Sequence, residues 1–277
     1  PNLAKLPGAD RLAFSAIANE ALPDQEADLV VLARGNGEAA GCTAAFDASG
    51  SDVALLDVSA DYRFVSDWVY GLTEEAGAAL DHARRVSNPG CYATAAQLAL
   101  KPLIELLTAD PVVFGVSGYS GAGRTPSERN DPQRLKDNLI PYRLAGHLHE
   151  REISHHLKRR VTFTPHVAAF FRGISVTVVA RLSLALDPAA AADRFRAWYA
   201  DQPLIEVTEE IPEIVHVCGR PHVRIGGFVQ NSEDPRELRF VACIDNLLKG
   251  AASQALQNLN RMAGFDELLG LDARSTG

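Results

Sequence analysis

Apolar residues follow two rhythms along this chain. Through the first ninety or so positions, short unbroken apolar runs alternate with polar turns. Residues 27–33 read as a buried strand, Arg34-Gly35-Asn36-Gly37 as a turn and 38–46 as a short helix. A second apolar strand covers 52–58 and ends in the polar loop Ser59-Ala60-Asp61-Tyr62-Arg63-Phe64. Strand, turn, helix and strand in that order make a βαβ unit with parallel strands. Ligands of such sheets bind beyond the carboxyl ends of the strands, where both polar loops lie. Residues 11–17 read as a further short strand. Beyond position 160 the rhythm changes to β-branched runs at 161–165 and 174–182, then 205–208, 213–217, 223–230 and 237–244. Asp187 reads as the N-cap of an alanine-rich helix ending near 199, and a last helix covers 247–262 after Asp245-Asn246. Consecutive strands of this kind predict an α+β region with a mainly antiparallel sheet. The fold class is therefore α/β, with a parallel-sheet part and an α+β part.

Between the two regions stands Ser87-Asn88-Pro89-Gly90-Cys91-Tyr92-Ala93-Thr94. Asn-Pro and Pro-Gly are turn dipeptides, and residues 95–107 carry helix formers at i, i+3 and i+4. A helix ending near 107 is expected, kinked at Pro102. Cys91 then sits at a helix mouth, where free N–H groups and the positive end of the macrodipole favour the nucleophilic thiolate. Two readings stand here: a nucleophile that attacks an acyl group, and a buried cysteine serving as a small apolar residue. A strand at 112–116 leads into Ser117-Gly118-Tyr119-Ser120-Gly121-Ala122-Gly123-Arg124. That loop is open to close ligand approach but does not follow the Gly-Lys-Ser/Thr phosphate-loop pattern.

Composition narrows the classes. A chain of 277 residues, 47 % hydrophobic and 22 % charged, is ordinary for one large or two smaller globular domains. No apolar run reaches the ~18 residues of a membrane span, so no membrane partner is expected. A net charge of −8 argues against a nucleic-acid partner but leaves room for a small anion in a local basic pocket. The four cysteines form no C-x-x-C pair, as expected of reduced thiols in a cytoplasmic setting. No secretory leader is read at the start.

Among eight histidines the informative group is Gly146-His147-Leu148-His149-Glu150-Arg151-Glu152. Histidine titrates near neutrality and is the usual proton partner of a nucleophilic cysteine. Glu152, three residues after His149, shares its face on a helix and can orient a ring or bind a cation. Read alone, the same group also fits a solvated helix start. Joined by Cys91 or Glu152 it fits a zinc site, although its spacing is not H-E-x-x-H and no metal is expected. Arg63, Arg124 and Arg172 stand near the turns and can bind carboxylate or phosphate bidentately. Each read singly is also an ordinary surface arginine, and capping alone accounts for Asn246.

The segment 88–94 resembles the active-site segment of the N-acetyl-gamma-glutamyl-phosphate reductases of arginine biosynthesis. The resemblance extends through 57–64, Tyr70-Gly71-Leu72, 115–123, 146–153, Pro165-His166-Val167, Phe171-Arg172-Gly173-Ile174 and 245–252. It is closest to the branch shared by some bacteria and the fungal mitochondrial enzymes. It implies NADPH-dependent reduction of N-acetyl-glutamyl 5-phosphate to the 5-semialdehyde, with release of phosphate. It also implies kinship with the aspartate-semialdehyde and glyceraldehyde-phosphate dehydrogenases. By this resemblance Cys91 is the nucleophile and His147 the acid/base. Arg63, Arg124, His149 and Glu152 are expected to bind substrate or to organise the site, and Asn36, Gly37, Ser59, Gly118, Gly121 and Asn246 to bind NADP. It further implies a Rossmann-like domain from 1–90 and 245–277, and a catalytic and oligomerisation domain from 91–244. The partners implied are a small acyl phosphate and further copies of the chain in a homodimer or homotetramer. The compartment is the cytoplasm, or the mitochondrial matrix in a eukaryote.

The resemblance has three departures. No G-x-x-G-x-x-G stretch is present, so the first βα unit is expected to be missing from the parallel sheet, by omission of residues rather than by loss of the loop. Arg34-Gly35-Asn36-Gly37 stands where Leu-Pro-Asn-Gly is expected, and Thr73 where proline is expected. Two rival functions remain: a catalytically dead or regulatory member of the same fold, and a metal-dependent hydrolase using His147 and His149.

Overall fold

A computed structural model describes residues 15–271. Its strands form two sheets. The first is four-stranded and wholly parallel, in the order β1-β2-β4-β3, with β1 at Leu29–Leu32, β2 at Ala54–Asp57, β3 at Val69–Tyr70 and β4 at Arg85–Ser87. The second is seven-stranded, in the order β6-β7-β5-β8-β11-β10-β9. Its strands are β5 (Val112–Gly118), β6 (Leu139–Pro141), β7 (Thr162–Ala168), β8 (Ile174–Arg181), β9 (Ile205–Thr208), β10 (Val223–Gln230) and β11 (Glu237–Ile244). Only β5–β7 and β9–β10 pair in parallel; the other ladders are antiparallel. The helices are α1 (Ala40–Ser49), α2 (Thr73–Ala76), α3 (Cys91–Leu100), α4 (Pro132–Leu135), α5 (Leu148–His156), α6 (Pro188–Trp198) and α7 (Ser253–Met262).

The unbroken apolar runs of the first region have a physical reason. In β2, Leu55 packs on one face with Leu32, Cys42 and Phe46, while Ala54 and Leu56 pack on the other with Val86, Ala255 and Met262. A parallel strand covered on both faces has no polar side to show. α1 supplies one cover. α7 supplies the other, bringing the end of the chain back onto the first sheet.

The second sheet holds the larger core. Val113, Val176, Val178, Phe240 and Ala242 face α3 and α6, while Val112 and Phe114 on the opposite face are about 40 % exposed. Residues 92–100 of α3 are all buried, and the small Ala93, Ala95, Ala96 and Ala99 let neighbours approach closely from several sides. Pro102, which lacks an N–H, ends the α-helix: the chain tightens into a 3-10 helix at Lys101–Leu106. The expected kink is thus a change of helix type.

Two expectations change, and a third lies largely outside the described residues. Residues 213–217 are not a strand; Ile214–His216 is a 3-10 turn with Val215 70 % exposed. β9 and β10 pair in parallel, so the chain between them must cross back over the sheet, and that crossover uses 213–217. The last helix opens with a π-helical turn at Leu248–Ala252, where Gly250 N–H bonds to the Asp245 carbonyl and Ala252 N–H to that of Leu247. The strand read at 11–17 falls largely outside the described residues, and 15–17 is irregular.

Candidate active site

Cys91 is the first residue of α3, after Gly90 at the N-cap. The turn before it is clamped by residues distant in sequence. Asn88 N–H donates to the Asp57 carbonyl at 2.7 Å, and the Asn88 carbonyl accepts from Arg63 Nε at 2.9 Å. Asn258 Nδ2 donates to Asn88 Oδ1 at 3.0 Å. Gly90 N–H donates to Glu152 Oε1 at 2.8 Å. A Cβ on Gly90 would lie 2.3 Å from His149 Nε2 and 2.7 Å from Arg63 Nη1, so only glycine fits. From the other side the π-turn presses Gly250 against the cysteine: a Cβ there would lie 2.6 Å from Cys91 Cβ.

This clamp uses two of the residues expected to bind substrate or organise the site. Glu152 is fully buried, and its carboxylate is spent on Arg63 Nη1 at 3.0 Å, the Tyr70 hydroxyl at 2.8 Å and Gly90 N–H. Burial alone would raise the Glu152 carboxyl; the Arg63 guanidinium and His149 outweigh it and hold the group below its ordinary range. Arg63 lines the cavity but is paired within the protein. The two build the cysteine turn, the site-organising one of the two roles expected for them.

The thiol also differs from expectation. Burial pushes Cys91 up to about 11, against the Tyr92 amide and the Arg63 charge, and with the Glu152 charge adding to the rise. At rest the group is a thiol. His147 is the N-cap of α5, and its Nδ1 accepts the His149 N–H at 3.1 Å. Burial, with Arg143 and Arg129 nearby, brings it down to about 4. The ring is neutral near pH 7, and because Nδ1 is an acceptor its proton is on Nε2. His149 is lowered to about 4 as well, mainly by burial, and its buried Nδ1 has no hydrogen-bond partner.

Cys91, His147 and His149 line one cavity of about 700 Å³. It reaches Asn36 and Ser59 at the carboxyl ends of β1 and β2, and Gly118, Gly121 and Asn246 line it in between. Of the six expected cofactor residues only Gly37 is elsewhere: its N–H is taken by Asp61 Oδ1 at 2.6 Å. Asn36 Oδ1 holds Ala60 N–H at 3.0 Å, and Ser59 Oγ donates to Asp57 Oδ2 at 2.7 Å, so both shape the loops they line. Asn246 does not cap the last helix. Asp245 Oδ1 accepts from Leu247 N–H at 2.8 Å, while Asn246 accepts from Gly173 N–H at 2.7 Å and donates to Ser120 Oγ at 2.9 Å. Arg124 lies in a neighbouring pocket with Tyr119, Phe171 and Pro126, outside the Cys91 cavity. Arg172 is paired with the buried Asp245 at 3.0 Å. Residues not singled out in the sequence also line the Cys91 cavity, namely Arg129, Tyr142 and Arg143. No spacing or periodicity marks them. Among the described residues no group of three or more His, Cys, Asp or Glu is placed to hold a metal ion, so His147 and His149 do not complete a ligand set.

The profile of the semialdehyde dehydrogenase dimerisation domain matches residues 91–246. The chain is 47 % identical over 261 residues to an N-acetyl-gamma-glutamyl-phosphate reductase of Xanthomonas axonopodis pv. citri, covering 94 % of this chain and 82 % of that one. It is also 47 % identical to the enzyme of that name from Xylella fastidiosa, covering 93 % and 78 %. In fold it is similar to aspartate semialdehyde dehydrogenase from Francisella tularensis, with a TM-score of 0.72 at 14 % identity over 89 % of this chain and 84 % of that one. The aspartate semialdehyde dehydrogenase II of Vibrio cholerae gives 0.69 at 19 % identity, over 85 % and 79 %.

Proposed function

The chain belongs to the N-acetyl-gamma-glutamyl-phosphate reductase family of the semialdehyde dehydrogenases, and from that premise we propose that Cys91 and His147 carry out the reductive dephosphorylation of N-acetyl-glutamyl 5-phosphate. The observation that carries this reading is the clamped turn. It fixes a thiol at the first position of a buried helix and opens it into a cavity shared with a neutral histidine and the ends of two parallel strands.

Cys91 Sγ attacks the acyl carbon. A C–S bond forms, the C–O bond to phosphate breaks, and the thiol proton leaves with the phosphate, giving a thioester on Cys91. The Nε2–H of His147 serves as donor to the negative charge that develops on the carbonyl oxygen. A nicotinamide cofactor, when bound, supplies the hydride that reduces the thioester carbon. The hemithioacetal on Cys91 then loses its C–S bond, releasing the semialdehyde, and the thiolate takes up a proton. The residues fit such a cofactor. The cavity runs to the carboxyl ends of β1 and β2, where doubly wound sheets bind nucleotides, and Asn36, Ser59, Gly118, Gly121 and Asn246 would hold it. The form assigned is NADP, after the family. The match to a dimerisation domain supports a homodimer or homotetramer. No helix among the described residues is long and apolar enough to cross a membrane.

The test uses the full natural chain with N-acetyl-glutamyl phosphate. NADPH consumption should match phosphate release one for one, and neither should occur with Cys91→Ala. No turnover by protein with intact Cys91 overturns the reading in favour of an inactive member, and NADPH binding measured alongside shows whether the cofactor or the chemistry is lost.

A further inference from the structure

A π-helical turn is a rare insertion in an α-helix, and here it runs directly into α7. Its bonds, from Gly250 N–H to the Asp245 carbonyl at 2.9 Å and from Ala252 N–H to the Leu247 carbonyl at 3.0 Å, set where Gly250 stands. Gly250 stands against the cysteine: an added Cβ would lie 2.6 Å from Cys91 Cβ and 3.2 Å from its Cα. The side chain of Asn88 reaches the same turn, with Nδ2 donating to the Ala251 carbonyl at 3.3 Å. The turn is thus the back wall of Cys91. Its one ionisable side chain is Lys249. An ammonium on a flexible stem ordinarily finds water, because burial of an unpaired charge is expensive. Lys249 instead points inward, 0 % exposed, to Glu74 Oε1 at 2.5 Å and Gln257 Oε1 at 2.7 Å, and Glu74 is 1 % exposed. Both acceptors are held in turn. Thr73 Oγ1 donates to Glu74 Oε2 at 3.2 Å and accepts from Gln254 Nε2 at 2.9 Å, while Gln257 Nε2 donates to Glu267 Oε1 at 2.6 Å. Thr73 stands where the resemblance expects proline, which has no hydroxyl to lend to this chain of bonds. A buried ion pair is often no more stabilising than apolar residues of similar volume, but its geometry is exacting.

We propose that Lys249 and Glu74 are positioning residues for Cys91: by fixing the π-turn they hold Gly250 behind the cysteine and keep its sulfur at the cavity. Neither touches the reacting atoms. The hydrogen bond from Gly90 to Glu152 fixes the turn ahead of the cysteine, and this pair fixes the wall behind it. The turnover served is the one proposed above, whereas the placement of the thiol does not depend on that reading. A displacement of about 1 Å at a reacting atom lowers a rate by about 100-fold, so a wall of this kind is worth a buried charge pair. Thr73 and Gln257 act one step further out, by orienting the two groups that Lys249 meets.

The test uses Lys249→Met/Glu74→Gln in the full natural chain, a pair of changes that leaves neither partner as an unpaired buried charge. Turnover and the accessibility of the thiol should move in opposite directions. In the double variant kcat should fall about 100-fold, while the KM values for acyl phosphate and NADPH change less than about threefold. Labelling of Cys91 by iodoacetamide at about pH 7, followed by peptide mass spectrometry, should become about tenfold faster, because a loosened wall admits water to the thiol. Thr73→Val removes only the hydroxyl that orients Glu74, and should shift both readouts the same way by about threefold. Met262→Ala opens the core between α7 and the first sheet; it should lower the unfolding midpoint and leave labelling and kcat unchanged. A natural labelling rate in the double variant overturns the positioning role, and so does a natural rate in Thr73→Val if the double variant does not fold. Faster labelling in Met262→Ala also overturns it, since labelling would then follow stability alone. If labelling shifts as stated and the natural protein does not reduce the acyl phosphate, the positioning role stands and the reaction assignment falls.

Discussion

Cys91 keeps its proton at rest although it heads a helix. The positive end of a helix lowers a thiol only where water or a cation helps to stabilise the thiolate, and here burial is the larger effect. The sequence shows the helix mouth and hides the burial, so the position of Cys91 was legible and the direction of its pKa shift was not. Two outcomes follow. The rate of Cys91 labelling by iodoacetamide should keep rising through pH 9, short of a plateau, because the thiol titrates at about 11. Cys91→Ala should reduce turnover by at least about 10⁴-fold with no change in unfolding midpoint. The histidines give a stability signature. His147 and His149 lie at about 4 in the folded chain against 6.5 unfolded, so between those values the unfolded state binds more protons. Stability should be full above pH 6.5 and fall as the pH drops toward 4. A thermal melt series should show this, with a flatter profile in His149→Gln. At Glu152 the sequence leaves substrate binding and site organisation side by side. Only the fold reveals that Arg63, Tyr70 and Gly90 use up its oxygens.

Elements were read best where the pattern was long and periodic. The strands read at 205–208, 223–230 and 237–244 coincide with β9, β10 and β11, and Asp187 caps α6 as expected, with Oδ1 accepting Ala190 N–H at 2.8 Å. The strands passed over, β3, β4 and β6, are two or three residues long. At that length alternation carries no signal, and position in the sheet decides. The π-turn was also hidden, because its register depends on tertiary packing. Lys249 within it is fully buried, with Nζ 2.5 Å from Glu74 Oε1 in α2 and 2.7 Å from Gln257 Oε1 in α7. This ties the turn that presses on Cys91 to two helices. Lys249→Met strands Glu74 as an uncompensated buried charge and should lower stability by about 3–5 kcal/mol in a denaturant titration. Adding Glu74→Gln should restore a substantial part of that loss.

For the whole molecule, the two apolar rhythms correspond to two sheets, one covered on both faces and the other on one. The outer face of the second sheet carries Val112 and Phe114, with half-exposed Thr177 and Val179 paired beside them on β8. Together with the dimerisation-domain match, this face is where copies of the chain should meet. Light scattering should give a mass of at least two chains, and Val112→Asp/Phe114→Asp should shift it toward one. The clamp on Cys91 draws on β2, on α5 and on the return of α7: Asp57 and Asn258 hold Asn88, Glu152 holds Gly90, and Gly250 backs the cysteine itself. During synthesis, then, Cys91 is made long before its surroundings. Until residues near 258 have left the ribosome, Cys91 is an ordinary thiol on an unbraced segment, and its bracing waits for a residue 170 positions beyond Asn88.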